Sequence, residues 1–286
     1  MSKIKYFFQF IGVIILFGIF KLLGRKYASI LSGNIMMIIG PLFRSKKICH
    51  SNLSTAFPKL ENYQREDLIK EMWFNYGKIF AEYIFISDFR KSKLSNELII
   101  ENQNELEKIK NSSKPVIFIS GHFNNFELMA MHLEKSGINL AALYRPLNNP
   151  FLNPIMEKIR KKYICKKQVK KGISGTKELL RYFKEGCSIA LMIDQRVSEG
   201  IKCNFFDKLA FTTTIPAQFA KKYNAKIVPV YIERLKNNNF KINIYQSVEF
   251  TEDDTLEQIT LELNQILEKM IRKNPSQWIW THNRWK

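Results

Sequence analysis

A histidine and a carboxylate five positions apart can together activate a hydroxyl. His122 and Glu127 stand in that relation in Ile117-Phe118-Ile119-Ser120-Gly121-His122-Phe123-Asn124-Asn125-Phe126-Glu127. Imidazole takes up a proton near neutral pH. A carboxylate beside it holds the ring in one orientation and stabilises its charged form. With 26 acidic residues among 286, the spacing alone is close to coincidence, although His50, His132 and His282 have no acid five positions on. The plainer reading of Glu127 is a carboxylate at a helix N-terminus, after Asn124 or Asn125 as the cap. For His122 it is a loop histidine bonded to backbone.

Three more residues carry chemistry of this kind. Arg145 closes Tyr144-Arg145-Pro146, where the proline ends a strand and a guanidinium could hold a phosphate or carboxylate. Arg160 lies among Lys158, Lys161 and Lys162, and such basic helical faces are often just solvated. Asp194 directly follows the apolar run Ile189-Ala190-Leu191-Met192-Ile193, either as a sheet-edge cap or as a site group.

The elements that must position these residues alternate. Strands are expected over 115–120, 139–144, 188–193, 226–232 and 241–245. Helices are expected over 125–136, 149–163, 175–184, 214–223 and 256–272. Short apolar runs separated by helical stretches indicate an α/β fold, a central mixed sheet covered by helices. In such sheets ligands collect at strand ends. His122, Arg145 and Asp194 each follow an expected strand, which is the reason to treat them as one site. Residues 45–110 read as helical, and the polar run Asn111-Ser112-Ser113-Lys114 closes that region.

Ahead of it, Tyr6 to Phe20 form an apolar run broken only by Gln9, between Lys3/Lys5 and Lys21. With Lys21 snorkelling, the run is long enough to cross a bilayer. Basic residues follow it directly without a cleavage site, so an uncleaved anchor is expected rather than a signal peptide. The apolar stretch 28–43, interrupted by Ser29, Ser32, Gly33 and Asn34, reads as an interfacial or core helix. More positive charge follows the anchor than precedes it, which favours a cytoplasmic main domain. The organisation is therefore an anchor over 1–27, a helical lead-in over 28–110 and an α/β core over 111–286.

A formal charge of +19 calls for an anionic partner, or reflects lysine-rich composition alone. The four cysteines show neither zinc-ligand spacing nor a disulfide framework, so no metal is expected. Neither a phosphate-binding loop nor a dinucleotide fingerprint is present, and no cofactor is expected. There is no nucleophile elbow and no nucleic-acid-binding motif.

Taken in order, Gly121-His122-Phe123-Asn124-Asn125-Phe126-Glu127, Tyr144-Arg145-Pro146 with Asn149-Pro150, Asp194-Gln195 and Val228-Pro229-Val230 resemble the lipid A biosynthesis (lauroyl/myristoyl, late) acyltransferase family. Asn52-Leu53, Phe57-Pro58 and the ending from Trp278 to Lys286 add to the likeness, which spans nearly the whole chain. The histidine–acid spacing is shared with glycerolipid acyltransferases, and glutamate at Glu127 favours the lipid A branch. The resemblance implies a glycerolipid-acyltransferase-like core and a catalytic pair at His122 and Glu127. It implies functional residues at Arg160 and Asp194, and leaves the role of Arg145 open. In the implied reaction an acyl chain passes from acyl carrier protein to a hydroxyl of a phosphorylated glycolipid of the Kdo-lipid IVA type. Glu127 would orient the His122 ring, while Arg145, Arg160 and Asp194 would serve the substrate. The implied place is the inner membrane. Departures stand at Arg196, usually small or acidic, and at Asp207, where the pattern has glycine. Alternatives are an acyltransferase acting on a glycerophospholipid or another glycolipid, and a non-enzymatic basic protein peripheral to the membrane.

Overall fold

The computed structural model describes residues 3–112 and 114–286; Ser113 of the expected linking run lies outside the described residues. In chain order the elements begin with α1 (Lys3–Phe43), α2 (Lys46–Ala56), α3 (Asn62–Glu82) and α4 (Ile86–Arg90). Next come β1 (Leu98–Glu101), α5 (Gln103–Asn111), β2 (Ile117–Ser120), α6 (Glu127–Lys135) and β3 (Leu140–Tyr144). Then follow α7 (Leu152–Ile159), β4 (Lys167–Lys170), α8 (Ile173–Lys184) and β5 (Ser188–Met192). The chain closes with β6 (Ile201–Phe205), β7 (Lys208–Thr212), α9 (Ile215–Tyr223), β8 (Ile227–Arg234), β9 (Phe240–Ile244) and α10 (Leu256–Lys273).

Seven strands form one sheet in the order β1-β9-β8-β2-β5-β3-β4. The five from β8 to β4 are parallel, β9 runs antiparallel to β8, and β1 is parallel to β9. This is the expected mixed sheet covered by helices. Ile117 to Ser120 are buried throughout, as a central parallel strand covered on both faces must be. All five expected strands and all five expected helices of this part form, with ends shifted by a few residues.

Four strands were not expected. β1 falls within the stretch read as helical, because a four-residue edge strand leaves little periodicity to read. The sequence of β4, Lys-Gln-Val-Lys, is mostly polar because it lies at the other edge. β6 and β7 form a separate hairpin whose two turn residues, Phe206 and Asp207, have φ of 52° and 57°. That geometry suits glycine, which accounts for the departure noted at Asp207 being a turn position.

By length and composition, Lys3–Leu42 could cross a membrane. The helix kinks at Gly24, where φ is 72° and ψ is 161°. Past the kink it packs on α3 through glycines. A Cβ on Gly77 would run into the Ser32 carbonyl, and one on Gly33 would stand 2.6 Å from the Phe74 ring. Ser32 Oγ donates to the Gly77 carbonyl at 2.6 Å. The stretch 28–43 is thus the second half of one continuous helix, docked on α3. Gly77→Ala should destabilise the fold by about 1–3 kcal/mol, the usual cost of overpacking, read as a lower thermal midpoint in detergent.

Candidate active site

The sheet brings His122 and Asp194 together. β2 and β5 are parallel neighbours with Ser120 opposite Met192, and each residue lies two positions past that pair. Gly121 makes the approach possible: a Cβ there would meet the Asp194 Cβ at 3.2 Å. His122 Nδ1 lies 2.8 Å from Asp194 Oδ1, and the His122 backbone N–H donates to Oδ2 at 2.8 Å. Trp278 Nε1 donates to the same Oδ2, also at 2.8 Å. Asp194 is therefore a buried carboxylate that accepts three N–H groups.

This assigns the tautomer. An ionised carboxylate only accepts, so the ring proton sits on Nδ1 and Nε2 keeps its lone pair. Burial pushes the His122 pKa down, but the Asp194 charge, its hydrogen bond and the Glu127 charge more than offset this, and the net shift is upward from 6.5. Burial also pushes Asp194 up. The His122 charge, the bonds to His122 and the Trp278 N–H together outweigh it and hold the carboxyl down at about 2. Phe126 stacks edge-on against the ring, with centroids 4.9 Å apart.

Glu127 opens α6, as expected, but no side chain caps that helix. Asn124 Oδ1 instead accepts from Arg234, and Asn125 Nδ2 donates to Glu82. Nor does Glu127 hold the ring. Its Oε1 accepts from Arg160 Nε at 2.8 Å and Nη2 at 2.5 Å. The expected orienter of His122 thus belongs to a second pair, and Asp194, expected to serve the substrate, sits behind the ring. Arg160 begins a π-helical turn, Arg160–Ile164, at the end of α7, and its guanidinium lies 5.5 Å from the Tyr144 ring centre. π-turns are frequent at functional sites.

His122, Glu127, Arg145 and Arg160 all line one cleft of about 600 Å³, with Lys171 beside Arg145. Asp194 does not line it. Arg145 and Lys171 follow the adjacent ends of β3 and β4, where Tyr144 pairs with Lys170. Among the described residues neither has a carboxylate within ion-pair distance, so both are available to an anion. The remaining wall is largely apolar, including Leu143, Ile164, Met192 and Ile215. Such a space suits a hydrocarbon chain ending near a proton acceptor, with cations at the mouth.

Residues without an assigned role in the sequence hold the His122 loop. Phe123 bridges Trp278, and the Asn124 N–H donates to the Gln277 carbonyl at 2.8 Å. Buried Glu82 takes Arg234 in a two-pronged pair at 2.6 and 2.8 Å and also accepts from Asn125. Trp278 stood in a recognisable run, so its presence was legible, but its contact with Asp194 spans 84 positions. His282 accepts from the Arg196 N–H at 2.9 Å, and burial pushes it down to about 4, so it is a structural histidine. Among the described residues no cluster of His, Cys, Asp and Glu could hold a metal ion.

A family model described as bacterial lipid A biosynthesis acyltransferase matches residues 1–286. A lipid A biosynthesis acyltransferase of Haemophilus influenzae is 27% identical over 251 residues, 85% of this chain and 78% of the relative. The lipid A biosynthesis myristoyltransferase of Escherichia coli K12 is 22% identical over 286 residues, 96% and 86% of the two chains. The lauroyltransferase of that organism is 22% identical over 255 residues, 85% and 79%. Among solved structures, a 1-acyl-sn-glycerophosphate acyltransferase from Thermotoga maritima superposes with a TM-score of 0.43 at 14% identity, covering 90% of this chain and 100% of that one.

Proposed function

The chain belongs to the bacterial lipid A biosynthesis acyltransferases, and on that premise we propose that it moves a fatty acyl chain from acyl carrier protein to a hydroxyl of a phosphorylated glycolipid of the Kdo-lipid IVA type. The observation that carries this reading is the His122–Asp194 pair at the head of an apolar cleft with Arg145 and Lys171 at its mouth.

Asp194 holds the Nδ1 proton, so Nε2 accepts the proton of the acceptor hydroxyl as that oxygen attacks the thioester carbonyl. A C–O bond forms and the carbonyl oxygen becomes an oxyanion, which the Arg160 guanidinium stabilises. Collapse breaks the C–S bond, and Nε2 returns the proton to the departing thiolate. General-base catalysis of this kind is typically worth roughly 10²–10⁴-fold. Glu127 fixes Arg160 in place. Arg145 and Lys171 bind phosphate groups of the acceptor. The positive surface docks the acidic carrier protein in a salt-sensitive way. The enzyme works at the inner membrane with its α/β body on the cytoplasmic side, held there by its N-terminal helix.

Purified protein offered an acyl carrier protein thioester should acylate a lipid A precursor in preference to lysophosphatidic acid, with the product read by mass spectrometry. Equal or greater use of the glycerolipid would overturn the acceptor assignment. The base must be neutral to act, and the His122 pKa lies above 6.5. Turnover should therefore be low in acid and rise through an apparent pKa above that value, as measured by kcat/KM against pH.

A further inference from the structure

We propose that Trp278 is a positioning residue for the acyl transfer: its indole N–H fixes the Asp194 carboxylate behind His122 and limits how strongly that carboxylate holds the ring in its charged form. This role presupposes His122 as the base, and it holds whichever lipid is the acceptor.

The residue types leave one direction for the contact. Indole Nε1–H only donates, and an ionised carboxylate only accepts. Trp278 Nε1 stands 2.8 Å from Asp194 Oδ2, and both residues are 2% exposed. The His122 backbone N–H reaches the same oxygen at 2.8 Å. Two donors on fixed frames therefore hold Oδ2 and keep the carboxylate plane from turning. Oδ1 is left to His122 Nδ1, also at 2.8 Å.

The indole is itself held in place. The Trp280 ring stands edge-on to it with centroids 4.6 Å apart, and the Phe205 ring lies 6.1 Å away. Its backbone bridges Phe123, the residue after His122. The chain on either side is tied down independently of the indole. Gln277 Oε1 accepts from the Arg234 N–H at 2.7 Å, and Asn52 Nδ2 donates to the Trp280 and His282 carbonyls at 2.8 and 2.7 Å. Arg284 donates to the Phe211 carbonyl and to Thr212. Residues 275–285 thus form a strap beside the site, and among the described residues Trp278 is the side chain of that strap that bonds to Asp194.

The chemical consequence follows from where the charge sits. A donor on Oδ2 draws negative charge away from Oδ1, so the carboxylate stabilises the imidazolium less than an unbonded one would. The Trp278 N–H is among the groups that hold the Asp194 carboxyl down at about 2. Without it, Asp194 pulls harder on the imidazolium. The His122 pKa then rises further, and less of the base is neutral at a given pH. The other titratable groups that act on the pair are Glu127 on α6, Arg160 in the π-turn, and His282 and Arg284 on the strap. None of these bonds to Trp278, so replacing it leaves their charges in place.

Trp278→Phe removes the N–H. A 3-benzothienylalanine placed at position 278 by codon suppression puts sulfur there at nearly the same shape. For both full-length variants and wild type, kcat and KM are measured against pH, with thermal midpoints to establish the fold. Trp278 does not line the cleft, so KM should change little while kcat falls roughly 10- to 100-fold. The acid limb of kcat/KM should move to higher pH, a shift that a merely space-filling tryptophan would not produce. A ¹⁵N spectrum of labelled histidine should still place the neutral ring's proton on Nδ1, unlike Asp194→Asn. Where Trp278→Phe fails to fold, the isosteric replacement decides. An acid limb that stays at its wild-type pH in a folded variant, or moves lower, overturns this role and leaves His122 as the base. Wild type without an acid limb overturns both.

Discussion

Asp194→Asn should reduce acyl transfer by roughly 10³–10⁴-fold while leaving the protein folded. The reason lies in what Asp194 accepts. Oδ2 takes two fixed N–H groups, from the His122 backbone and Trp278. In the variant only the amide oxygen can occupy that position. The amide NH₂ then faces Nδ1, which must become the acceptor, and the ring proton moves to Nε2. The lone pair that would take the hydroxyl proton is gone. A ¹⁵N spectrum of labelled histidine should show the tautomer exchanged. The residual activity should lose the limb above pKa 6.5, because the carboxylate charge that raises the His122 pKa is absent. Activity within tenfold of wild type would show that Asp194 does not set the proton on this ring.

Glu127→Ala and Arg160→Ala should each lower turnover roughly 10²–10³-fold, the usual loss for one oxyanion donor, and the double variant should be no worse than either. The two side chains meet through a pair of hydrogen bonds on one carboxylate oxygen. Residues acting as one unit lose their effect once, not twice. Their charges also act on His122 in opposite directions, Glu127 raising and Arg160 lowering its pKa. The double variant should thus retain a pH profile close to wild type, which separates this pair from Asp194. Additive losses would restore Glu127 to independent action on the ring.

The strand ends were legible in the sequence because β2, β3 and β5 are short apolar runs with polar residues directly behind them. Their order in the sheet was not. The neighbour of His122 is set by the pairing of Ser120 with Met192, 72 positions apart. The acid five residues away, which sequence distance favours, points instead to Arg160. For the same reason Glu82 and Arg234, which brace the loop from elements 152 positions apart, carried no signal. β4 was missed because edge strands can be polar on both faces. The apolar length of α1 was legible, but hydropathy does not report the close packing of its second half on α3 at Gly33 and Gly77.

The role of His122 as the base is tested most directly by single-turnover acyl transfer by purified His122→Ala, compared with wild type. The donor is an acyl carrier protein thioester, the acceptor a phosphorylated lipid A precursor in mixed micelles, and the product is followed by mass spectrometry. With the fold intact by thermal midpoint, product formation should fall at least roughly 10³-fold while acceptor binding is retained. Near-wild-type turnover in that folded variant would contradict the claim that His122 takes the hydroxyl proton.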